Sequence, residues 1–303
     1  MKNWRSFFLS LLSIPSLLSV TSLLPLTSHA EPLVWKATKG EQQLMLVGTI
    51  HLGDQSMYPL PQSLKQFLAH SDGLVLETDV NSPAPQLDFS NVLLTKDALD
   101  IDQMQQLVAI AQKLKLNPQT LGSLPPWLTA VTIENQTFQI LGFNAEEGVD
   151  QTLYHQAEKL NVPLLTFETM KEQLDMLQNL PNNGKDLLLD ALKEEADGQS
   201  KIEQTYHCMV KSWKDGDQAN LLKLLATNDW DEETSNKMLY IRNSNWAEKI
   251  VDPDFLSPTG HYVIAVGALH LMGQKNLRLK LAERGYQITQ LTKSQKTQCG
   301  SIN

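Results

Sequence analysis

Two histidines far apart in the chain stand in the same setting: Leu46-Val47-Gly48-Thr49-Ile50-His51-Leu52 and Ala265-Val266-Gly267-Ala268-Leu269-His270-Leu271. Each apolar run ends in Gly-x-x-His-Leu. An imidazole can take up a proton, release one, or offer a lone pair to a metal, so a matched pair is a candidate site where a lone copy would be a weak signal. The glycine three residues ahead lets the backbone turn sharply or approach a neighbour closely.

Carboxylates follow two other apolar runs. Glu77 and Asp79 come after Gly73-Leu74-Val75-Leu76, and Glu168 after Val162-Pro163-Leu164-Leu165. Two imidazoles with one or two carboxylates make a hard-to-borderline donor set suited to Zn²⁺, Mn²⁺ or Co²⁺. The expectation is that His51, His270 and Glu168 or Glu77 hold one divalent ion. The remaining carboxylate then activates the bound water, because the ion lowers the water's pKa and polarises a scissile carbonyl. Arg242 has two readings: an anion or oxyanion contact, or a structural ion pair, since its fork of donors suits a carboxylate or a developing negative oxygen equally. Glu168 has a rival role at the N-terminus of the next helix, and Asp79 reads as a solvated strand-end charge. His70, His155, His207 and His261 read as ordinary residues, the last at the amino end of its strand.

The elements that must position these groups are short. Leu44-Met45-Leu46-Val47, Gly73 to Leu76, Val162 to Leu165 and Tyr262 to Val266 are continuous apolar runs, the mark of strands in a parallel sheet covered on both faces. Tyr286 to Leu291 alternates like an edge strand. Between the first two runs, Leu64, Phe67 and Leu68 share one helical face, giving a β-α-β unit. Val149, Leu153, Ala157 and Leu160 repeat the device before the third run, and Leu277, Leu279 and Leu281-Ala282 form a helix closed by Gly285 after the fourth. The fold class is therefore α/β: a central, mostly parallel sheet flanked by helices, two related strand-GxxH half-units, and helical insertions over about 90–143 and 171–250. In the first insertion Met104, Leu107, Val108, Ile110, Ala111 and Leu114 read as a core-facing stripe. In open sheets of this kind ligands gather beyond the carboxyl ends of the strands, which is where all four groups would lie.

Residues 1–30 read as a signal peptide. Lys2 and Arg5 precede an apolar run from Phe7 to Leu24 that ends at Ser28-His29-Ala30, so the mature chain is expected to begin at Glu31 and to be periplasmic or secreted. The remainder of the 303-residue chain is read as one domain, 31–303. The formal charge of −9 becomes −11 once Lys2 and Arg5 are removed, which makes nucleic acid a poor partner. No later segment has the apolar length of a membrane span. Cys208 and Cys299 are the two cysteines, and an oxidising compartment favours their pairing.

His-Glu-x-x-His, Gly-x-Ser-x-Gly and a phosphate-cradling glycine loop are all absent. What is present resembles the TraB/GumN family, relatives of the Tiki proteins that trim Wnt ligands. The likeness is carried by Leu46 to His51, by Gly148-Val149-Asp150 with Phe167-Glu168-Thr169 and Glu172-Gln173-Leu174, by Arg242-Asn243 with Trp246-Ala247, and by Val266 to Leu271 with Gly285-Tyr286. It implies a metal-dependent peptidase site built on His51, His270 and a glutamate, a peptide or protein substrate, and kinship with erythromycin esterase-like and haem-binding ChaN-like folds. Val149 stands where methionine is usual, and Thr166-Phe167 replaces Gly-Leu; neither removes a candidate ligand. Two further readings stay open: an envelope carrier of haem or metal using the same histidines without turnover, and a non-catalytic protein-interaction module.

Overall fold

The computed structural model describes residues 31–83, 85–225 and 230–299. The expected signal peptide lies outside them.

Six strands form one sheet: β1 (Val34–Lys39), β2 (Gln42–Thr49), β3 (Gly73–Leu76), β4 (Leu164–Thr166), β5 (His261–Gly267) and β6 (Gln287–Gln290). Their spatial order is β4-β3-β5-β2-β1-β6. β4, β3, β5 and β2 are neighbours and mutually parallel, so their carboxyl ends emerge along one edge. Three of the continuous apolar runs have the expected cause: Leu44, Leu46, Val47, Leu74, Val75 and Val263 to Val266 are all buried, with helices packed against the sheet, whereas Val162, Leu164 and Leu165 are only half-buried because β4 lies at the sheet edge.

β1 is the strand that hydrophobic patterning does not mark. Val34-Trp35-Lys36-Ala37-Thr38-Lys39 carries two lysines in six residues, yet it pairs antiparallel with β2 on one side and β6 on the other. A tight turn at Gly40, with φ of 59°, makes the β1–β2 connection. β6 is an edge strand as its alternation suggests, but β1 and β2 separate it from β5. The chain after β5 therefore crosses two strands before it re-enters the sheet.

The flanking helices follow their apolar faces. Leu64 and Leu68 of the helix Gln62–Ala69 are buried, as are Val149, Leu153 and Ala157 of the helix Val149–Leu160. Leu160 and Leu279 depart from the expected faces and are about half exposed. Leu160 is the last residue before a left-handed Asn161 cap, and Leu279 falls two residues from both Leu277 and Leu281, on the opposite side of a helix. The helices Ile101–Lys113, Pro126–Ile140 and Lys185–Asp197 pack on one another around a separate apolar cluster that includes Leu107, Ile110, Ala111 and Leu114 of the anticipated stripe.

Cys208 and Cys299 form a disulfide with Cα atoms 5.5 Å apart. It fastens the C-terminal segment to the helix Gln199–Lys214, and from that helix Trp213 donates its buried indole N–H to the Gly48 carbonyl at 2.7 Å. No helix among the described residues is long and apolar enough to cross a membrane.

Candidate functional site

The four parallel strands deliver their titratable groups in spatial order: Glu168 after β4, Glu77 after β3, His270 after β5 and His51 after β2. The two Gly-x-x-His segments touch. A Cβ on Gly48 would lie 3.1 Å from the Ala268 Cα, so a larger residue fits only if the second motif shifts by a few tenths of an ångström. A Cβ on Gly267 would lie 3.2 Å from Glu77 Oε1, 3.7 Å from His270 Cδ2 and 3.7 Å from His51 Nε2. Gly267 is therefore the floor on which both imidazoles and one carboxylate converge.

His270 is 4% exposed and its hydrogen bonds are complete. The Asn243 side chain donates Nδ2–H to the Lys275 carbonyl, which turns its oxygen toward the imidazole. His270 Nδ1–H therefore donates to Asn243 Oδ1 at 2.7 Å, and the lone pair of Nε2 accepts from Arg242 Nη1 at 3.1 Å. Burial pushes the imidazole well down, to about 3, against the nearby Glu77 charge that pulls it up, so His270 is neutral.

Arg242 is the hub. Its Nε donates to both Glu168 oxygens at 3.0 and 3.1 Å, and Nη2 to Glu168 Oε2 at 2.9 Å and Glu77 Oε2 at 2.5 Å. Nη1 meets the Met238 carbonyl and His270 Nε2, both at 3.1 Å. A guanidinium has five N–H groups, and here each has an acceptor. Of the two readings of Arg242, the contacts present are those of the ion pair, with every N–H engaged by the protein's own acceptors. The arginine lies on the helix Ile241–Val251, which a π-helical turn at Asn236–Tyr240 feeds, and it also covers the Trp246 ring at 4.7 Å.

Glu77 is buried and fully engaged: Oε1 accepts the Gly267 N–H at 2.7 Å, and Oε2 accepts from Arg242 and from Gln173 at 3.2 Å. Burial alone would raise this carboxyl. With His270 neutral, the Arg242 guanidinium, the His51 imidazole and the Gly267 amide outweigh burial and hold it low, at about 2. Glu168 spends both oxygens on Arg242 and the Trp246 indole N–H, the latter at 2.8 Å. Its helix-capping role is taken by Thr169, whose side chain forms a capping box with Glu172. Asp79 stays out of the cluster and caps a local turn through the Asn81 N–H at 2.9 Å.

His51 differs from all of these. Its side chain is 65% exposed, while Nδ1 lies 2.9 Å from Oδ2 of the buried Asp150. Thr49 donates to the other Asp150 oxygen at 2.7 Å. Asp150 sits in the first turn of the helix Val149–Leu160, where the helix dipole favours a negative charge, and the Val149 N–H ties that turn to the Ile50 carbonyl at 3.0 Å. The Asp150 charge raises the imidazole, to about 9, against partial desolvation. Among the described residues nothing bonds Nε2. Asp150 is the residue that strand-end reasoning misses: it lies on a helix, and the only signal for it in the sequence is its place in Gly148-Val149-Asp150.

The residues were tested against the expected divalent ion. Their chemistry suits one, but as arranged they do not fit it. Glu168 spends both oxygens on Arg242 and Trp246, and His270 Nε2 is committed to Arg242. Among the described residues no three His, Cys, Asp or Glu side chains are grouped to hold a metal. The expected ligand set of His51, His270 and Glu168 is thus interrupted by a guanidinium.

This is an α/β fold with a histidine–carboxylate–arginine cluster at the carboxyl edge of four parallel strands. A family model described as the TraB/PrgY/gumN family matches residues 33–290. The chain belongs to that family. It is 30% identical over 239 residues to a protein named YbaP from Escherichia coli strain K12, an alignment that covers 78% of this chain and 87% of that one, and it matches YbaP of Shigella flexneri to the same extent. No solved structure is a significant match.

Proposed function

We propose that the chain is a hydrolase of the bacterial cell envelope that cleaves peptide or related acyl bonds, with His51 as its acid–base group. The observation that carries this reading is the contrast between the two histidines: His270 is neutral, buried and saturated, whereas His51 presents an open Nε2 over Gly267 with its other nitrogen on a buried carboxylate. In its neutral form such a ring can act as a general base, because Asp150 fixes the tautomer and the ring orientation and stabilises the imidazolium formed during the reaction; with the ring raised to about 9, that form grows as pH rises.

In the proposed reaction a water held at Nε2 loses its proton to His51 as its oxygen attacks the substrate carbonyl. His51 then returns that proton to the departing nitrogen or oxygen. Glu77, Arg242 and His270 form a rigid polar wall behind the reacting atoms. Their hydrogen bonds are complete before substrate arrives, so their orientation costs nothing at the moment of reaction.

Export is supported by the signal-like pattern of residues 1–30 and by the Cys208–Cys299 disulfide, which suits an oxidising compartment. Preference for a peptide over another acyl compound is supported by the family resemblance. The test is to incubate the chain from Glu31 onward with a defined peptide mixture and a set of aryl esters in ¹⁸O-water. Products labelled at the new carboxylate, formed by the wild type and lost in His51→Gln, are expected. Labelled product formed equally by His51→Gln would remove His51 from the reaction, and no product from any substrate would remove the hydrolase reading.

A further inference from the structure

Arg242 bridges His270 of the second Gly-x-x-His motif and Glu77, beside the Gly267 floor that His51 also reaches. Ligands bound at about 2.0 to 2.1 Å to a tetrahedral ion lie roughly 3.3 Å apart. His270 Nε2 and Glu77 Oε1 are 3.7 Å apart, close to that spacing. His51 Nε2 reaches the same floor, within 3.7 Å of the position a Gly267 Cβ would take. His270 Nε2 and Glu77 are thus a donor pair at near-ligand spacing with His51 Nε2 nearby, and the cation they meet is a guanidinium. Arg242 Nη1 takes the His270 lone pair at 3.1 Å, and Nη2 takes Glu77 Oε2. Glu168 and Trp246 grip the guanidinium from behind. The Arg242 and Glu77 side chains are about nine-tenths buried, so solvent does not screen their charges apart.

We propose that Arg242 is the resident cation of this centre: it occupies the position a divalent ion would take beside His270 and Glu77, keeps the native site free of metal, and its removal converts the cluster into a divalent-metal site. A second positive charge within about 4 Å of a buried guanidinium is opposed by strong repulsion. His270 cannot give its single lone pair to Arg242 and to an ion at once. The inference does not depend on whether the centre hydrolyses anything, because its readout is metal binding.

The experiment uses tag-free, disulfide-intact chain from Glu31 onward and Co²⁺ alone as the probe, followed by calorimetry and by the visible absorption of histidine-bound cobalt. Arg242→Gln leaves two buried carboxylates against no cation and is vulnerable to misfolding. Arg242→Gln/Glu168→Gln removes one charge of each sign and is the second variant. The wild type is expected to take up no stoichiometric cobalt, and His270→Ala is expected to leave that result unchanged. The arginine variants are expected to bind one equivalent at least tenfold more tightly than the wild type, and that site is expected to disappear when His51→Ala or His270→Ala is added. One equivalent of cobalt on the wild type, lost in His270→Ala, would overturn the proposal. So would folded arginine variants that bind no better than the wild type.

Discussion

Replacing Asp150 with asparagine keeps the shape of the side chain and removes the charge that sets the protonation of His51. The His51 imidazole is raised from 6.5 to about 9, chiefly by that charge at 2.9 Å. At about 1.36 kcal/mol per pH unit, the full difference would correspond to roughly 3.4 kcal/mol between the protonated and neutral ring. The ring is 65% exposed, and solvent screens such a pair, so an effect of about 1 to 2 kcal/mol is the reasonable expectation. Asp150→Asn should therefore lower the His51 midpoint by about one pH unit, followed by the imidazole proton resonance from about pH 5 to 10. A raised histidine contributes fully below its unfolded value of 6.5 and loses that contribution as pH rises toward 9, so the variant should lose most of its stability deficit above that window. Hydrolysis should rise with pH as the neutral base form grows, and that rise should move to lower pH in Asp150→Asn. A His51 titration that is identical in wild type and variant would refute the coupling and, with it, the base assigned to the reaction.

Other expectations concern the frame around the site. Glu168→Ala strips the principal partner from buried Arg242; a loss of about 3 kcal/mol is expected, read as a fall in Tm of roughly 6 to 12 °C. His270 resists protonation down to about 3, so the unfolded chain takes up a proton that the folded one refuses, and stability should fall as pH drops below 6.5. Glu77, held at about 2, adds a further loss below its unfolded value of 4.5. Denaturant titrations across this range should show the decline, and His270→Gln should flatten its upper part. Reducing Cys208–Cys299, which closes a separation of 91 residues, should cost about 4 to 5 kcal/mol in the chain-entropy model; an unchanged denaturation midpoint under reductant would contradict that figure.

The parallel strands and their carboxyl-end groups are legible in the sequence because burial on both faces demands continuous apolar runs, and each run here ends at a chemically distinctive residue. His51, Glu77, Glu168 and His270 are found that way. The neighbours that decide what each can do are less legible. Asp150 comes from a helix more than seventy residues after Glu77 and more than a hundred before His270, and nothing in its local pattern marks it as the partner of His51. The saturation of Arg242 depends on a π-helical turn and on two carboxylates from separate strands. Residue type alone leaves the ion-pair and oxyanion readings of Arg242 equal, and does not show which acceptors its donors meet. β1 escapes patterning for a similar reason: Lys36 and Lys39 break its apolar signal, and its place between β2 and β6 is fixed by pairing rather than by composition.

The most direct measurement is the hydrolysis rate of His51→Gln beside the wild type, with Tm recorded for both so that loss of fold is separated from loss of function. Removal of a general base lowers kcat by about 10²- to 10⁴-fold, and a drop of that size at unchanged Tm is expected. A variant that folds and cleaves at the wild-type rate would contradict the assignment of the exposed, Asp150-backed imidazole as the reacting group.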